Sequence, residues 1–358
     1  MKVLPEKIET AGRKGSILVV VLWLVTIMSM LAVSITAFSS GQIIFTRNLR
    51  NRAACYYLAR AGIIMGIAEL ERNQTLSPNF DALKDEWSNK AEIFANRTLR
   101  SGTFSVTYEY ASGLKVYNTM EGDKAITNTF YGMIDEDRKL NINAQTRPDY
   151  IKNLFQQVAV LQEDQAKALA DCIMDWRDQD SIRRQYGAEA EHYENLPNSY
   201  KCKNNKFDTL EELILVKGMT PEIFNAVKDY ITIYGDSRAN INTAPYNVLI
   251  TLGLTASAAD AVIRARAGVD EAEGTEDDEV FTQPNAITNI VGKRTSLSQS
   301  DSDSITKLVN AGMLKVSSDY FKIISIGSLS GDEGGKKNSA KITCIAHKNS
   351  GKIVYWQE

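Results

Sequence analysis

Residues 13–38 read RKGSILVVVLWLVTIMSMLAVSITAF, so that two basic residues and a Gly-Ser pair lead into an apolar run. From Ile17 to Phe38 there are 22 residues without a charge. As a helix that rises about 1.5 Å per residue, this run is long enough to cross a bilayer core about 30 Å thick. Because basic residues precede the run, the positive-inside rule predicts a cytoplasmic N-terminus. Everything from about Gln42 onward then lies across the membrane.

A cleaved signal peptide is the first alternative for this run. Its apolar core should span about 7–15 residues and end in a small-residue cleavage site. The run is longer, and Ser34-Ile35-Thr36 matches such a site poorly. Apolar residues continue at helical spacing to Ala68, and no proline occurs between Pro5 and Pro78. We therefore predict one helix from about Ser16 to Glu71, the alternative being a plain anchor joined to a separate helix.

The segment around Gly15 resembles a type IV prepilin leader followed by the start of its mature helix. In that family a membrane peptidase cuts after the glycine, and the new N-terminal residue is methylated. The resemblance therefore implies cleavage between Gly15 and Ser16. Most pilins and pseudopilins carry a glutamate as the fifth mature residue, where this chain has Val20. The missing acid and the Leu22-Trp23 dipeptide are similar to the K-type minor pseudopilins of type II secretion, the GspK family.

Size, charge and cysteine content limit the possibilities. After the leader and the membrane segment about 290 of the 358 residues remain, which is more than one ordinary domain. The 44% apolar content allows a real core, and the net charge of −3 gives no general attraction to nucleic acid. In an oxidising periplasm the even count of four cysteines favours pairing. We favour a Cys172–Cys202 disulfide around an acidic, turn-rich stretch, the alternative being four reduced, buried thiols.

The pattern along the chain predicts an α+β fold of the type IV pilin kind. Strand-like runs at Gly102–Tyr110 and Asn128–Ile134 return only near the C-terminus, whereas Pro148–Ile290 is mostly helical in pattern. We expect a long N-terminal helix on a small antiparallel sheet, interrupted by a large helical domain. The predicted parts are a leader at 1–15, a transmembrane half-helix at 16–38, a pseudopilin body at 39–147 and 296–358, and an inserted helical domain of helix-hairpin-helix (SAM-like) type at 148–295.

The predicted insertion carries a second resemblance to the same family. An ordered series of short motifs is similar to its inserted helical domain: Asp175–Asp180, Gly187–Glu189, Asp208–Leu213, Val216–Pro221 and Ala239–Pro245. With the N-terminal helix, the resemblance covers nearly all of the chain. It implies calcium sites within the helical domain.

The loop after Trp176 is rich in carboxylates. Asp175, Asp178 and Asp180 lie within six residues, and Glu189 and Glu191 follow closely. Such hard oxygen ligands suit Ca²⁺, although the spacing is not that of an EF-hand. We rank Asp178, Asp180 and Glu189 ahead of Asp175 and Glu191 as calcium ligands. The alternative is a solvated acidic loop, with Asp175 capping a helix.

A second acidic run, Asp270–Glu279, contains no Lys or Arg. It could bind another ion, but blocks of like charge are more often flexible, solvated loops, and this is the interpretation that we favour.

Two helical hairpins, Leu210–Ile231 and Pro245–Arg266, resemble units that bind DNA phosphates through backbone N–H groups. Between Lys206 and Asp270 there are six basic and eight acidic residues, hence a net charge of −2. This charge is unfavourable for phosphate binding. We therefore predict a scaffold for protein–protein contacts and no binding of nucleic acid.

Nothing in the sequence favours catalysis. There are two histidines, His192 and His347, and no nucleophilic triad, P-loop or dinucleotide fingerprint can be recognised. Zinc is disfavoured because His and Cys do not cluster.

Three functions follow in order of preference. The first is a non-enzymatic minor pseudopilin at the tip of the type II secretion pseudopilus. It would be anchored by a single pass in the bacterial inner membrane, with its bulk in the periplasm. Its implied partners are the I- and J-type minor pseudopilins, then the H type and the major pseudopilin, the inner-membrane assembly platform and the prepilin peptidase. The second is a minor pilin of a type IV pilus or DNA-uptake system, and the third is a membrane-anchored metal-dependent hydrolase.

Overall fold

The computed structural model describes residues 14–100, 102–111, 127–329 and 338–358. The predicted leader therefore lies outside the described residues, except for Lys14 and Gly15. The chain divides into two compact units at the Ala54–Cys55 boundary.

The first helix confirms the prediction of one long element. Helix α1 runs from Lys14 to Leu76, 63 residues, without a break between its apolar and amphipathic parts. In the described residues it is the single helix that is long and apolar enough to cross a membrane, with a mean hydropathy of 2.6 in its most apolar window. Val20, at the predicted fifth mature position, is exposed. The alternative of an anchor joined to a separate helix is wrong.

The remaining described helices are short. They are α2 (Ala91–Phe94), α3 (Pro148–Val158), α4 (Glu163–Arg177), α5 (Ala190–Glu194), α6 (Pro221–Val227), α7 (Tyr246–Leu252), α8 (Ala256–Arg266), α9 (Ile287–Arg294) and α10 (Gln299–Asn310). Two 3₁₀ helices lie at Leu210–Leu215 and Pro284–Ala286. The region predicted to be mostly helical thus begins with two helices, α3 and α4, packed against each other.

The described strands are mostly short as well. They are β1 (Arg97–Leu99), β2 (Gly102–Val106), β3 (Tyr108–Ala111), β4 (Thr127–Phe130), β5 (Ile134–Asp135), β6 (Leu140–Asn141), β7 (Ile231–Thr232), β8 (Ala239–Asn240), β9 (Leu314–Lys315), β10 (Tyr320–Leu329), β11 (Ser339–His347) and β12 (Ile353–Gln357).

Strands from both ends of the helical region meet in one antiparallel sheet, as predicted. Its order is β1-β2-β10-β11-β12, and β5 also pairs with β10. Ser325 of β10 lies opposite Val106 of β2, although more than 200 residues separate them. Strands β3 and β4 form a separate hairpin. The chain therefore returns to the sheet after the helical domain.

Small residues allow α1 to lie directly on this sheet. Ile63 and Leu70 of α1 share a buried core with Ile323 and Ile342 of the sheet. A Cβ atom on Gly327 would overlap the backbone N of Ala59 and the backbone O of Cys55. Glycine at this position therefore sets how closely the helix approaches β10.

The helical region forms a second core. Buried side chains from Leu140 to Leu314 belong to one cluster, so the packed region extends beyond the predicted bounds of 148 and 295. The extension arises because Leu140 of β6 and Ile305 and Leu308 of α10 are buried in it.

This helical region consists of two halves with the same hydrogen-bonding pattern, which we call repeat A (residues 140–232) and repeat B (residues 239–315). Each begins with a two-residue strand that pairs in parallel with a strand at its end, β6 with β7 in repeat A and β8 with β9 in repeat B. Between the strands, each repeat has a helix pair, an acidic loop and further helices, α3/α4 and α7/α8 being the equivalent pairs. The two acidic runs therefore occupy equivalent places.

An Asn-Ile-Asn sequence opens both repeats and makes equivalent contacts. In repeat A, the side chain of Asn143 accepts from the backbone N of Phe207 and donates to its backbone O, both at 2.9 Å. In repeat B, Asn242 holds Phe281 in the same way, at 2.8 and 3.0 Å. Each asparagine side chain thus pairs with the backbone N–H and C=O of one buried phenylalanine, as a neighbouring strand would do.

An arginine at the end of the second helix of each pair completes the equivalence. Arg177 of α4 donates to the backbone O atoms of Ile142 and Gln145. Arg266 of α8 donates to those of Ile241 and Ala244, at 3.0 and 2.8 Å. In each repeat, the arginine binds the carbonyls of the Asn-Ile-Asn turn, and the acidic loop starts directly after this anchored helix end.

Buried polar contacts join the pseudopilin body to repeat B. Asp135 Oδ2, in β5, accepts from Asn240 Nδ2 at 3.0 Å, from Thr243 Oγ1 at 2.5 Å and from Ser318 Oγ at 2.7 Å. Tyr110 of β3 donates to Glu273 at 2.6 Å. The body and the helical region therefore share a continuous hydrogen-bonded boundary.

Candidate metal centre

The acidic loop of repeat A begins where α4 ends. Asp178 is the C-terminal cap of α4, and Glu189 is the N-terminal cap of α5. The loop returns on itself between these two anchored ends and brings Asp180 to them. One carboxylate oxygen from each of Asp178, Asp180 and Glu189 lies within 4.8 Å of the other two. The structure thus brings together the three residues that the sequence ranked first.

Several of these oxygens are buried without a partner among the described residues. Glu189 is 7% exposed, and neither of its carboxylate oxygens has a hydrogen-bond donor; Asp178 Oδ1 also lacks one. An unpaired buried acceptor carries the full cost of its lost hydration. A bound cation would remove this cost.

Electrostatics point in the same direction. Burial raises the pKa of Asp178, and the charge of Asp180 raises it further. Burial likewise raises the pKa of Glu189, together with the charges of Asp175 and Asp178. Like charges held this close repel each other, so the arrangement favours a cation between them.

The donor set fits Ca²⁺ better than a softer metal. The three carboxylates bring at least one oxygen each, and Ca²⁺ takes 6–8 oxygen ligands in irregular geometry, the rest of which water or backbone carbonyls can supply. No His or Cys joins the group in the described residues, which disfavours zinc. Asp178, Asp180 and Glu189 are therefore the residues that would hold calcium, and its charge would tie the end of α4 to the start of α5.

Asp175 and Glu191 do not join this group. Asp175 is fully buried, and its two oxygens accept from the backbone N of Arg184 at 3.3 and 3.2 Å. Burial raises the pKa of Asp175 to about 6. Glu191 lies exposed on α5. The structure assigns Asp175 to holding the loop rather than to the cluster of three.

Asn204 is a residue that the sequence motifs did not single out. Its Nδ2 donates to the backbone O of Asp180 at 3.0 Å, and its Oδ1 is buried without a partner among the described residues. Asn204 has a φ of +46°, a left-handed conformation that asparagine tolerates better than most residues. It therefore positions Asp180 from a distant part of the chain.

The acidic run of repeat B, for which we favoured a flexible, solvated loop, is mostly exposed but directs several carboxylates at its own protein. Glu273 is buried, forms an ion pair with Arg266 at 2.5 Å and accepts from Tyr110. Asp277 accepts from the backbone N of Val269 at 2.6 Å, and Asp278 from that of Gly274 at 2.8 Å. In repeat B, protein groups thus pair with the buried carboxylates, whereas in repeat A the corresponding loop leaves carboxylate oxygens unpaired.

The favoured disulfide is not formed. Cys172 and Cys202 are both free thiols, and so are Cys55 and Cys344. Burial raises the pKa of Cys172 and of Cys202 to about 11, which keeps both protonated and unreactive. Cys172 Sγ contacts the backbone O of Tyr186 at 3.6 Å, next to the acidic loop. The structure thus shows the alternative of reduced thiols, three of them buried and Cys202 partly exposed.

Comparison with known proteins finds similarity at the level of a family, a curated sequence and a solved structure. Residues 124–236 match the family described as type II secretion system (T2SS), protein K. A curated relative, the type II secretion system protein K of Klebsiella pneumoniae, is 24% identical over 235 residues, which are 64% of this chain. The match spans 66% of that relative, slightly less than two thirds of its length.

The third match is to a solved structure, the GspK-GspI-GspJ complex of the type 2 secretion system from enterotoxigenic Escherichia coli. The TM-score is 0.58 with 16% identity, and the alignment covers 89% of this chain and 98% of that one. At this level of identity the likeness concerns the fold alone.

Proposed function

We propose that this chain, which matches the protein K family of the type II secretion system, a structural and non-enzymatic family, is the minor pseudopilin that caps the pseudopilus tip and starts its assembly. The observation that carries this proposal is the helical region of residues 140–316, which has its own core. In sequence it is inserted between β2 and β10, two strands that pair in one sheet. A domain of this size would be difficult to accommodate between stacked subunits, whereas the end of a fibre leaves room for it.

The membrane segment supports the same position. In pilin-like fibres the acid at the fifth mature position contacts the subunit ahead, and this chain has Val20 there. A tip subunit has no subunit ahead and does not need that contact. The segment 16–38 would hold the protein in the inner membrane with the N-terminus in the cytoplasm. The bulk would lie in the periplasm.

The partners follow from the same assembly. The solved relative forms a complex with GspI and GspJ. For this chain we infer contacts with the I- and J-type minor pseudopilins, and below them with the H type and the major pseudopilin. The assembly platform would receive the anchored chain after the prepilin peptidase has cut it.

Export and fibre assembly test the proposed role. Deletion of the gene should abolish both the export of a secreted enzyme and pseudopilus formation, and the wild-type gene should restore them. Unchanged export would contradict the role.

A gold-labelled antibody against the helical region should then bind one end of each fibre. Label along the whole length would contradict the tip position but not the membership in the fibre.

Processing is tested at the N-terminus. Mass spectrometry of the mature chain should find Ser16 first, with a methylated amine. A Gly15→Val variant should stay uncut, whereas Gly41→Val, in the same helix, should be cut normally. A mature terminus near Ala37 would indicate ordinary signal peptidase and would contradict the anchor.

Calcium is the second part of the proposal. The unpaired oxygens of Glu189 and Asp178 support a bound ion, which would order the loop of repeat A as part of a docking surface.

DNA binding is the competing function of the helical hairpins. A gel-shift experiment with the full chain in detergent should show no salt-sensitive complex, and a tight one would favour a DNA-uptake role.

A further inference from the structure

A cavity of about 90 Å³ lies between repeat A and the sheet, and nothing described so far uses it. One wall comes from the end of repeat A and the residues just after it, including Lys228, Thr232 and Tyr234. The opposite wall comes from β10, β11 and β12, including Lys322 and Thr343. A space of this size admits the end of one side chain.

One lysine and one glutamate in this cavity neutralise each other. Lys139 is 6% exposed and lies 2.5 Å from Glu136 Oε1. The second oxygen of Glu136 accepts from Thr232 Oγ1 at 2.7 Å. Both carboxylate oxygens of Glu136 therefore already have a partner within the chain.

A second lysine is left without such a partner. Lys322 projects from β10 beside the same pair, and its charge helps to lower the pKa of Glu136, but in the described part of the chain its ammonium group forms no hydrogen bond or close ion pair. Burial lowers the pKa of Lys139, and the charge of Lys322 lowers it further, against the attraction of Glu136. Around this pair two lysines of the lining thus face one glutamate of the lining, and Asp229 outside the lining also attracts Lys139.

The remaining wall groups suit an oxyanion. The hydroxyl groups of Tyr234 and Thr343 face the cavity, and in the described residues neither forms a hydrogen bond. Lys228 lies at the rim, where Glu211 is also present, so the lining as a whole contains three lysines and two glutamates. An ammonium group beside free hydroxyl donors is a typical site for a carboxylate.

We propose that this cavity receives the carboxylate of an acidic side chain from a neighbouring subunit of the pseudopilus, with Lys322 as its main partner. The inference rests on the proposed function, since the occupant belongs to the same assembly. The cavity opens between the helical region and the C-terminal strands, so one inserted side chain contacts both.

The chemistry of the cavity is tested without any partner. The full chain in detergent, with ¹³C-labelled lysine, is titrated with the blocked peptide acetyl-Gly-Glu-Gly-amide and, in parallel, with acetyl-Gly-Gln-Gly-amide. The Lys322 and Lys139 signals should shift with the first peptide only. Lys322→Gln should abolish the shift of Lys139, whereas Lys341→Gln, on the exposed face of β11, should preserve it. No shift, or equal shifts with both peptides, would overturn the proposal.

The occupant is tested in the assembly. The chain is mixed with the I- and J-type pseudopilins and treated with a carbodiimide, which joins contacting amines and carboxylates. A link from Lys322 to an Asp or Glu of a partner is expected, absent in Lys322→Gln and present in Lys341→Gln. A complex that cross-links elsewhere but never at Lys322, and that Lys322→Gln leaves equally tight, would overturn this inference. If no complex forms while the peptide still binds, the proposed function fails and the anion site stands.

Discussion

Lys348 Nζ lies 2.9 and 2.7 Å from the two carboxylate oxygens of Asp81, and both side chains are buried although 267 residues separate them. Asp81 also accepts from the backbone N of Ser318 at 2.8 Å and from Asn73 Nδ2 at 3.2 Å. One carboxylate thus joins the end of α1, the loop between β9 and β10 and the turn before β12.

Removing the lysine should strongly destabilise the protein. Lys348→Met leaves the Asp81 charge buried with hydrogen bonds but without its cation, a change that typically costs about 3–5 kcal/mol. Denaturant unfolding of the full chain in detergent measures this. The control is Lys352→Met, an exposed lysine in the same hairpin, which should change stability by less than about 0.5 kcal/mol. If Lys348→Met matches that control, the ion pair does not hold these segments together.

Stability should fall as the pH rises from about 4 to 7. Burial raises the pKa of Asp81 to about 6, and burial together with the Asp135 charge raises that of Asp137 to about 7. A folded pKa above the unfolded value means that the native state binds more protons in this window, so ionisation at higher pH favours unfolding. Below about pH 4 the trend reverses, because side-chain hydrogen bonds lower the pKa of Asp301.

Melting midpoints in chelator across this range measure the trend. Asp137→Asn should flatten the slope between pH 5 and pH 7, whereas Asp303→Asn, an exposed aspartate of α10, should not. A wild-type midpoint that rises steadily to pH 8 would contradict the assignment.

The contact between helix and sheet should not tolerate a larger residue. Gly327→Ala would press its methyl group into the backbone of α1 at Cys55 and Ala59, which cannot move aside as a side chain can. We expect a loss of about 1–3 kcal/mol or more, as for other overpacked cores. Gly292→Ala in α9 is the matched control, because no atom lies within 4 Å of the added methyl group. It should stabilise by up to about 1 kcal/mol. Equal effects of the two substitutions would disprove the tight approach.

Local patterns allowed much of the fold to be predicted. The charge-free run, the absence of proline to Pro78 and the helical spacing specify α1, and alternating residues fit β10. The metal cluster was also predictable, since Asp178, Asp180 and Glu189 lie within twelve residues of one loop. Each of these features depends on neighbours in sequence.

Contacts between distant residues could not be predicted in this way. The Asn143–Phe207 and Asn242–Phe281 contacts join residues 64 and 39 positions apart, and no local pattern reports them. The signal that could have found them is the repeated Asn-Ile-Asn, because the same three residues occur at 141–143 and 240–242. The disulfide expectation failed for a related reason: spacing in sequence does not determine whether two thiols meet.

The two asparagine contacts predict a graded effect of mutation. Asn242→Ala leaves the buried N–H and C=O of Phe281 unpaired, which should cost about 1–3 kcal/mol. Asn143→Ala should cost less, because Asn143 is half-buried and water reaches the freed groups. Asn289→Ala, an exposed asparagine of α9, is the control and should cost nothing. The unfolding free energy measures all three. A larger loss for Asn143→Ala than for Asn242→Ala would refute the role of burial.

Calcium should stabilise the chain through repeat A. Binding to the native state alone favours folding by about 2.7 kcal/mol when the free ion is a hundredfold above its dissociation constant. The full chain in detergent should therefore melt several degrees higher in millimolar calcium than in chelator. Asp178, Asp180 and Glu189 carry this effect, because their oxygens converge and some of them have no other partner among the described residues.

Two variants distinguish the loss of calcium binding from a general loss of stability. Asp180→Ala and Glu189→Gln should lose the calcium shift, yet in chelator both should melt as high as the wild type or higher, because each removes a like charge from the cluster. Glu191→Gln is the matched control: Glu191 is exposed and outside the cluster, so its calcium shift should equal that of the wild type. If calcium fails to raise the wild-type midpoint, or if Glu191→Gln loses the shift as well, the three carboxylates form only an acidic surface.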